Sequence, residues 1–250
     1  MALVSDNATY QPLPEDATTD GKAQYLKTAE TAIRMGFLRK VYSILAIQLM
    51  VTVAVATPFV MYGETFVKSH QTLVSASVIP LFASLLAMTC CPSVTQKFPQ
   101  NYIILSVFTL SQGVLVGCVC AAYTWQSVGL AAGVTAFVFV ALTAYAFTTK
   151  TDFTGFGPYL FAGLMVMCTF GLILSILAWC GVAVKAAMVC YDIMGVLLFT
   201  FYIIYDTQMI IGGDHKVQFT IDDYVFAALN LYLDIINLFL YILELIGDRK

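Results

Sequence analysis

Seven long apolar segments follow one another along most of the chain, and short polar stretches separate them. A helix rises about 1.5 Å per residue, so roughly 20 residues cross a hydrocarbon core of about 30 Å. Short connections make consecutive helices antiparallel neighbours. The predicted spans are residues 41–61, 72–91, 102–122, 128–147, 158–178, 186–211 and 223–246. The pattern therefore predicts an all-α membrane protein, in which residues 41–250 form one seven-helix bundle.

The first 40 residues have a different pattern. Residues 1–21 are polar and show no hydrophobic periodicity, which predicts a disordered cytosolic tail. In residues 22–40, apolar side chains recur at helical spacing and basic side chains occupy the other positions. This predicts a basic amphipathic helix that lies on an anionic membrane surface. A solvated helix that leads into the first span fits the same pattern.

Composition and charge predict the class of protein and its orientation in the membrane. Hydrophobic residues make up 60% of the chain and charged residues 11%, whereas a soluble globule has about 25% charged residues. A net charge of −3 gives no reason to expect nucleic acid as a partner. If the N-terminus is cytosolic and all seven segments span, eight Lys and Arg residues lie on the cytosolic side and four on the other. This excess predicts a cytosolic N-terminus.

The seventh segment has an alternative arrangement. If it re-entered the membrane instead of crossing, ten Lys and Arg residues would lie on the cytosolic side and two on the other. This larger cytosolic excess favours re-entry. We nevertheless predict a full span, because a lipid-exposed irregular hairpin leaves backbone groups without hydrogen bonds.

The cysteines favour packing over chemistry. Seven is an odd number and makes a poor disulfide framework, and most of them lie inside predicted spans. Cys180 and Cys190 flank one short loop and form an alternative pair. Both histidines lie in loops, so we expect no resident metal site and no cofactor.

Two small-xxx-small faces predict close helix contacts. Gly113 and Gly117 form one, and Gly129 and Gly133 form the other. Such faces let helix backbones approach closely in membranes. We expect both to serve packing within the monomer.

Asp206 lies inside the sixth span and Asp234 near the middle of the seventh, whereas the first five spans carry no charged residue. An ionisable group in a membrane span is costly and is usually functional. The two spans are antiparallel neighbours, so we expect the carboxyl groups to meet, to share a proton and to titrate as one unit. Their oxygens suit a hard cation such as Ca²⁺. The alternative is a structural role, with two protonated aspartates bonded to neighbours.

Other polar residues are expected to support this pair. Asn230, Asn237 and Tyr241 recur with Asp234 on one face of the seventh span. Tyr202 lies one turn before Asp206 on the sixth. Asp192, at the other end of the sixth span, is a candidate charge at the outer mouth. Counted from their connecting loop, Asp206 is about five residues deep and Asp234 about eleven, which leaves a mismatch to be explained.

Three stretches carry a resemblance to a known family. They are Tyr205-Asp206-Thr207-Gln208, Asp223-Tyr224 and Ala228-Leu229-Asn230-Leu231-Tyr232-Leu233-Asp234-Ile235-Ile236-Asn237-Leu238-Phe239. Together they resemble the signature of the transmembrane Bax inhibitor motif family. The segment Arg34-Met35-Gly36-Phe37-Leu38-Arg39-Lys40-Val41-Tyr42 is similar to the stretch before the first span in its Lifeguard, or Golgi anti-apoptotic, branch.

The resemblance implies a seven-helix fold with a central C-terminal helix, in the membrane of the Golgi or the endoplasmic reticulum. It implies a pH-sensitive Ca²⁺ leak that lowers store Ca²⁺ and suppresses cell death, with Asp206 and Asp234 as its pore aspartates. Ca²⁺ and protons are the implied ligands, and Bcl-2-type proteins or Ca²⁺-release channels the implied partners. The chain departs from a bacterial member, which latches its aspartates with an arginine of the second span, because residues 72–91 contain no Arg or Lys.

Two other functions compete with the leak. A scaffold that restrains death-signalling partners without conducting fits the same sequence. A di-aspartyl intramembrane protease would share Tyr205-Asp206, but it needs Gly-x-Gly-Asp where this chain has Leu231-Tyr232-Leu233-Asp234. We therefore expect no enzymatic activity.

Overall fold

A computed structural model describes residues 19–213 and 215–250 of the chain. Its side chains are described from Glu30 onwards, apart from that of Pro92. The predicted disordered tail, residues 1–21, lies outside the described residues except for its last three positions.

Eight α-helices account for most of the described chain. They are α1 (Thr19–Ser69), α2 (Gln71–Cys90), α3 (Pro92–Gln96), α4 (Gln100–Cys120), α5 (Trp125–Thr148), α6 (Gly157–Trp179), α7 (Lys185–Ile211) and α8 (Tyr224–Ile246). A single 3-10 turn, Thr154–Phe156, precedes α6. Within the described ranges, seven helices are long and apolar enough to cross a membrane, all but the short α3. The predicted all-α, seven-span fold is confirmed.

The ends of α2 and of α4 to α8 lie within about three residues of the predicted spans. The first span differs, because α1 runs without interruption through residue 40, where the sequence predicted a boundary. The basic segment 22–40 is therefore the first part of α1. Gly63 interrupts α1 with a left-handed φ of 61°, close to the predicted end of the span at residue 61.

The C-terminal helix α8 lies at the centre of the bundle. Of its most apolar stretch 67% is buried, against 17–44% for the other spans. It packs against α7, α1, α5 and α4. The polar face of α8, with Asn230, Asp234 and Asn237, must be turned toward other helices rather than lipid, which agrees with its central position. The predicted central C-terminal helix is confirmed.

The two ends of α8 lie at opposite ends of the bundle. At its start, Asn101 Nδ2 donates to the Tyr224 hydroxyl at 2.9 Å, next to the beginning of α4. After its end, the backbone N–H of Thr124 donates to the Asp248 carbonyl at 3.0 Å, beyond the end of α4. Because α4 has the length and composition of a complete span, α8 likewise runs the whole length of the bundle as one continuous helix, which supports a full crossing over re-entry.

One of the two small-residue faces packs against another helix as predicted, and the other does not. A Cβ on Gly113 would lie 3.0 Å from Val55 Cβ, and one on Gly117 would lie 2.8 Å from the Phe59 ring, so this face packs against α1 as expected. A Cβ on Gly129 or Gly133 would meet nothing within 4 Å in the described chain. These two glycines face outward from α5, and the prediction of an internal contact for them was wrong.

All seven cysteines are free thiols. Cys180 and Cys190 are both exposed, and the alternative disulfide between them is not formed.

Candidate carboxylate site between α7 and α8

Asp206 on α7 and Asp234 on α8 face each other inside the bundle. Each is only 5% exposed, and the two carboxyl groups lie within hydrogen-bonding reach. Two carboxylates in direct contact away from water are tolerated only if a proton or a cation lies between them. The arrangement can therefore bind a proton or a cation, in a position where either would join α7 to α8.

Aromatic contacts further along the α7–α8 interface, which we call the seam, show that the two helices keep one antiparallel register. Phe199 of α7 stacks on Tyr241 of α8 with ring centroids 5.8 Å apart. Gly195, one turn earlier on α7, makes room for the same ring, because a Cβ there would lie 2.7 Å from it. The register that pairs Phe199 with Tyr241 also pairs Asp206 with Asp234.

This register explains the depth mismatch in the sequence. Neither helix is longer at the loop than predicted, since α7 ends at Ile211 and α8 begins at Tyr224. Instead, α8 extends about five residues beyond the end of α7 on the side of the connecting loop, which corresponds to roughly 7 Å. The connection returns alongside α7, where the Phe219 N–H donates to the Met209 carbonyl at 3.1 Å.

One oxygen of the pair has no protein partner. Asp234 Oδ2 is fully enclosed and accepts no hydrogen bond from the described residues. Ca²⁺ takes six to eight oxygen ligands, so the four carboxyl oxygens could supply only part of a coordination shell and water would supply the rest.

The predicted supporting residues lie in three different environments. Tyr202 is half-buried on α7, one turn before Asp206. Asn237 Nδ2 donates at 2.8 Å to the Leu233 carbonyl of its own helix. Tyr241 donates to the Tyr191 hydroxyl at 3.1 Å, nearer the far end of the seam. Asn230 is half-buried one turn before Asp234.

Asp192 lies in the half of the same seam that is far from the α7–α8 loop. It is 2% exposed, and its Oδ1 is enclosed without a hydrogen-bond partner in the described chain. It is about 21 Å along α7 from Asp206. The structure thus places Asp192 apart from the central pair, at the end of the bundle where α8 ends.

Arg34 is a structural residue that the sequence did not single out. Its guanidinium donates to three carbonyls at the end of α7 and in the following loop: Met209 at 2.7 Å, Ile211 at 2.9 Å and Phe219 at 2.7 Å. The Ile211 carbonyl is one of those that a helix end leaves without an intrahelical partner, and the Met209 carbonyl also accepts from the Phe219 N–H. The sequence placed Arg34 among the side chains that contact lipid headgroups, but it is engaged with protein instead.

A second group of polar contacts joins the α5–α6 connection to the end of α7. Gln208, fully buried, accepts from the Phe153 N–H at 2.7 Å and donates to the Thr151 carbonyl at 2.8 Å. Asp152 accepts from the Thr154 hydroxyl at 2.6 Å and from His215 Nδ1 at 3.2 Å. The Thr154 hydroxyl is the largest influence that lowers the pKa of Asp152 to about 2.

No sequence signal separated Arg34 and Asp152 from ordinary polar residues near a membrane surface. The nearest indication was the Gly212-Gly213 pair, which is typical of a helix end with left-handed backbone. Gly212 has a φ of 66°, and a Cβ there would collide with the Arg34 guanidinium.

These features define the chain as a seven-helix membrane protein whose last two spans each contribute one carboxyl group to a buried pair. Residues 34–250 match the family model described as "Inhibitor of apoptosis-promoting Bax1". The chain belongs to this family, the Bax inhibitor or lifeguard family.

Curated relatives agree with the family model. The chain is 34% identical to Protein lifeguard 3 of Homo sapiens over 221 residues, which cover 87% of this chain and 70% of that protein. It is 32% identical to Protein lifeguard 3 of Mus musculus over 220 residues, with coverage of 87% and 70%. It is 35% identical to Protein LIFEGUARD 4 of Arabidopsis thaliana over 218 residues, with 85% of each chain covered.

Proposed function

We propose that this protein is a pH-sensitive Ca²⁺ leak channel of intracellular membranes, which lowers store Ca²⁺ and thereby suppresses apoptosis. The observation that carries the proposal is the contact between the carboxyl groups of Asp206 and Asp234 at the centre of the bundle. The family description, which refers to inhibition of apoptosis-promoting Bax1, supports the cell-death part.

The proposed mechanism uses two states of the carboxyl pair. When both groups are ionised, they repel each other and attract a divalent cation. When they share a proton, one O–H···O⁻ bond ties α7 to α8 and the affinity for the cation falls. Protons and Ca²⁺ thus compete for one position between the two helices.

In this chain the shared proton, rather than an arginine, holds the carboxyl pair together. Residues of α2 supply no charged side chain, so an arginine from that helix is not available to hold the pair. We therefore assign the tie between α7 and α8 to the proton itself.

The setting of this leak is also part of the proposal. The N-terminus is cytosolic, and the membrane is that of the Golgi or the endoplasmic reticulum. The basic side chains of segment 22–40 contact anionic lipid, apart from Arg34 and from Lys40, whose Nζ lies 3.3 Å from the centre of the Tyr224 ring. Bcl-2-type proteins or Ca²⁺-release channels are the partners through which the leak acts on cell death.

The test is Ca²⁺ flux into liposomes that contain a Ca²⁺-sensitive dye, measured at several pH values. Wild-type protein should give a flux that changes with pH. Asp206→Asn and Asp234→Asn should each lose most of that pH dependence, because each variant leaves a single carboxyl group without a like-charged partner. Asp222→Asn, which alters an exposed acid in the α7–α8 loop, is the matched control and should keep the wild-type profile.

The outcome separates the leak from its main rival. If wild type and both pair variants show the same pH profile, the carboxyl pair does not sense protons. If the wild-type protein gives no flux above empty liposomes, a non-conducting scaffold becomes the better account.

A further inference from the structure

The last four residues of the chain are fixed to the connection between α4 and α5. The Lys250 N–H donates to the Ala122 carbonyl at 2.9 Å, and the Thr124 N–H donates to the Asp248 carbonyl at 3.0 Å. The Asp248 N–H donates to Ser127 Oγ at 2.9 Å. These bonds hold the C-terminal tail, Gly247–Lys250, across the end of the bundle where α8 stops.

This arrangement presents Arg249 to the end of the α7–α8 seam. Its Nη2 donates to Glu244 Oε1 at 3.1 Å and its Nε to the Tyr123 hydroxyl at 3.3 Å. The guanidinium also lies 5.5 Å from the centre of the Tyr123 ring. The ion pair is open to its surroundings, with side-chain exposures of 66% for Arg249 and 39% for Glu244. Such exposed pairs contribute little to stability and exchange readily.

Asp192 lies at the same end of the seam as this ion pair. The register that pairs Asp206 with Asp234 places Asp192 level with the last turn of α8 and the tail. Within the described chain, Glu244 and Arg249 are the two charged side chains at this end that are near enough to influence the Asp192 carboxyl electrostatically. Asp192 is nevertheless buried, and its Oδ1 has no hydrogen-bond partner among the described residues. A buried carboxylate oxygen without a partner is costly, and a proton, a water or a cation would satisfy it.

We propose that Asp192 and Glu244 form a second divalent-cation site at this end of the seam, and that Arg249 covers the site as a tethered counter-ion. Carboxylate oxygens are the ligands that Ca²⁺ prefers in proteins. An arriving cation takes the carboxylates, and Arg249 moves away while the backbone bonds keep the tail in place. The proposal rests on the proposed leak, because it makes this site the mouth opposite the α7–α8 loop.

The decisive variant is Arg249→Gln, studied by Ca²⁺ binding rather than by flux. We would follow the thermal stabilisation of the purified protein by Ca²⁺, with Mg²⁺ in parallel, and record the concentration of half-maximal effect. Removing the competing cation should lower the Ca²⁺ midpoint about fivefold, the factor for one charge pair at contact in water. Lys250→Gln is the matched control, because Lys250 Nζ donates to the Val60 carbonyl and not to these carboxylates.

The measurement is repeated in the Asp234→Asn background, where the central pair is broken. If Arg249→Gln still shifts the Ca²⁺ midpoint in this background, the shift belongs to the site formed by Asp192 and Glu244, whether or not the protein conducts Ca²⁺. Asp192→Asn and Glu244→Gln should each abolish the shift, so the result does not depend on one variant that folds poorly. An unchanged midpoint in Arg249→Gln, or the same shift in Lys250→Gln, overturns the proposal.

Flux supplies a second readout in the same proteins. Asp192→Asn should change the rate of Ca²⁺ flux but keep its pH dependence, because the residue lies about 21 Å from the central pair. Loss of the pH dependence in Asp192→Asn would contradict a separate outer site.

Discussion

Arg34 joins the N-terminal part of α1 to the end of α7 and the loop after it, because its guanidinium donates to three backbone carbonyls there. We expect Arg34→Ala to expose the amides of Gly212 and Phe219 to exchange. A hydrogen bond to a charged donor contributes roughly 1.5–3 kcal/mol, so the opening free energy should fall by about 2 kcal/mol. Native-state hydrogen exchange measures this directly.

Arg34→Lys provides the discriminating control. Lysine keeps the charge but cannot present the planar fork of donors that reaches three carbonyls at once. Exchange in Arg34→Lys should therefore resemble that in Arg34→Ala. If lysine restores wild-type protection, the residue acts through charge alone.

Asp152 should make stability depend on pH below about pH 4. Its pKa in the folded protein is lowered to about 2 from an ordinary value of 3.8, chiefly through the Thr154 hydroxyl. A lowered pKa stabilises the fold above the unfolded value, and this contribution is lost as pH falls through the folded value.

The melting temperature of Asp152→Asn in detergent should therefore lie below that of wild type at pH 5 and above. The gap should close between about pH 4 and pH 2. A gap that stays constant over that range would show that Asp152 does not remain ionised through its contacts with Thr154 and His215.

At the scale of helices, α4 and α5 carry the same glycine spacing with different results. Gly117→Val would place a methyl group against Ala56 and Phe59, whereas Gly133→Val points into open space. Overpacking costs about 1–3 kcal/mol, so Gly117→Val should lower the melting temperature and Gly133→Val should not. An equal loss in both variants would mean that the α1–α4 contact is looser than described.

The two glycine pairs also show why sequence predicts helices better than their contacts. Lipid is as apolar as a protein core, so an apolar helix gives no sign of which side faces protein. The seven spans were predictable from length and hydropathy, and the carboxyl groups stood out because charge is rare there. The orientation of Gly129 and Gly133 was not predictable on this basis.

Contacts made by terminal and loop residues were equally hidden. Arg34 looks in sequence like any basic residue near a membrane, and Arg249 like any polar residue in a short tail. Their roles depend on the position of distant carbonyls and carboxylates, which local periodicity does not encode. The sequence predicted that Asn230, Asp234, Asn237 and Tyr241 share one face of α8. It did not predict that Asn237 donates a hydrogen bond to the backbone of its own helix.

For the whole molecule, the full crossing of α8 predicts that the two termini lie on opposite sides of the membrane. In sealed microsomes, a protease added outside should remove a tag before Met1 and spare a tag after Lys250. Removal of both tags would contradict the crossing of α8, and protection of the N-terminal tag alone would reverse the orientation predicted from the Lys and Arg distribution.

The account depends most on competition between a proton and Ca²⁺ at Asp206 and Asp234. Proton release on Ca²⁺ binding measures this most directly, with purified protein in weak buffer near neutral pH and a pH indicator. If the pair shares a proton that Ca²⁺ displaces, wild type should release up to about one proton per Ca²⁺ bound at the pair. Asp206→Asn and Asp234→Asn should release almost none, and Asp222→Asn should behave as wild type. Equal release from wild type and both pair variants, or no release from wild type while Ca²⁺ binds at the pair, would contradict the account.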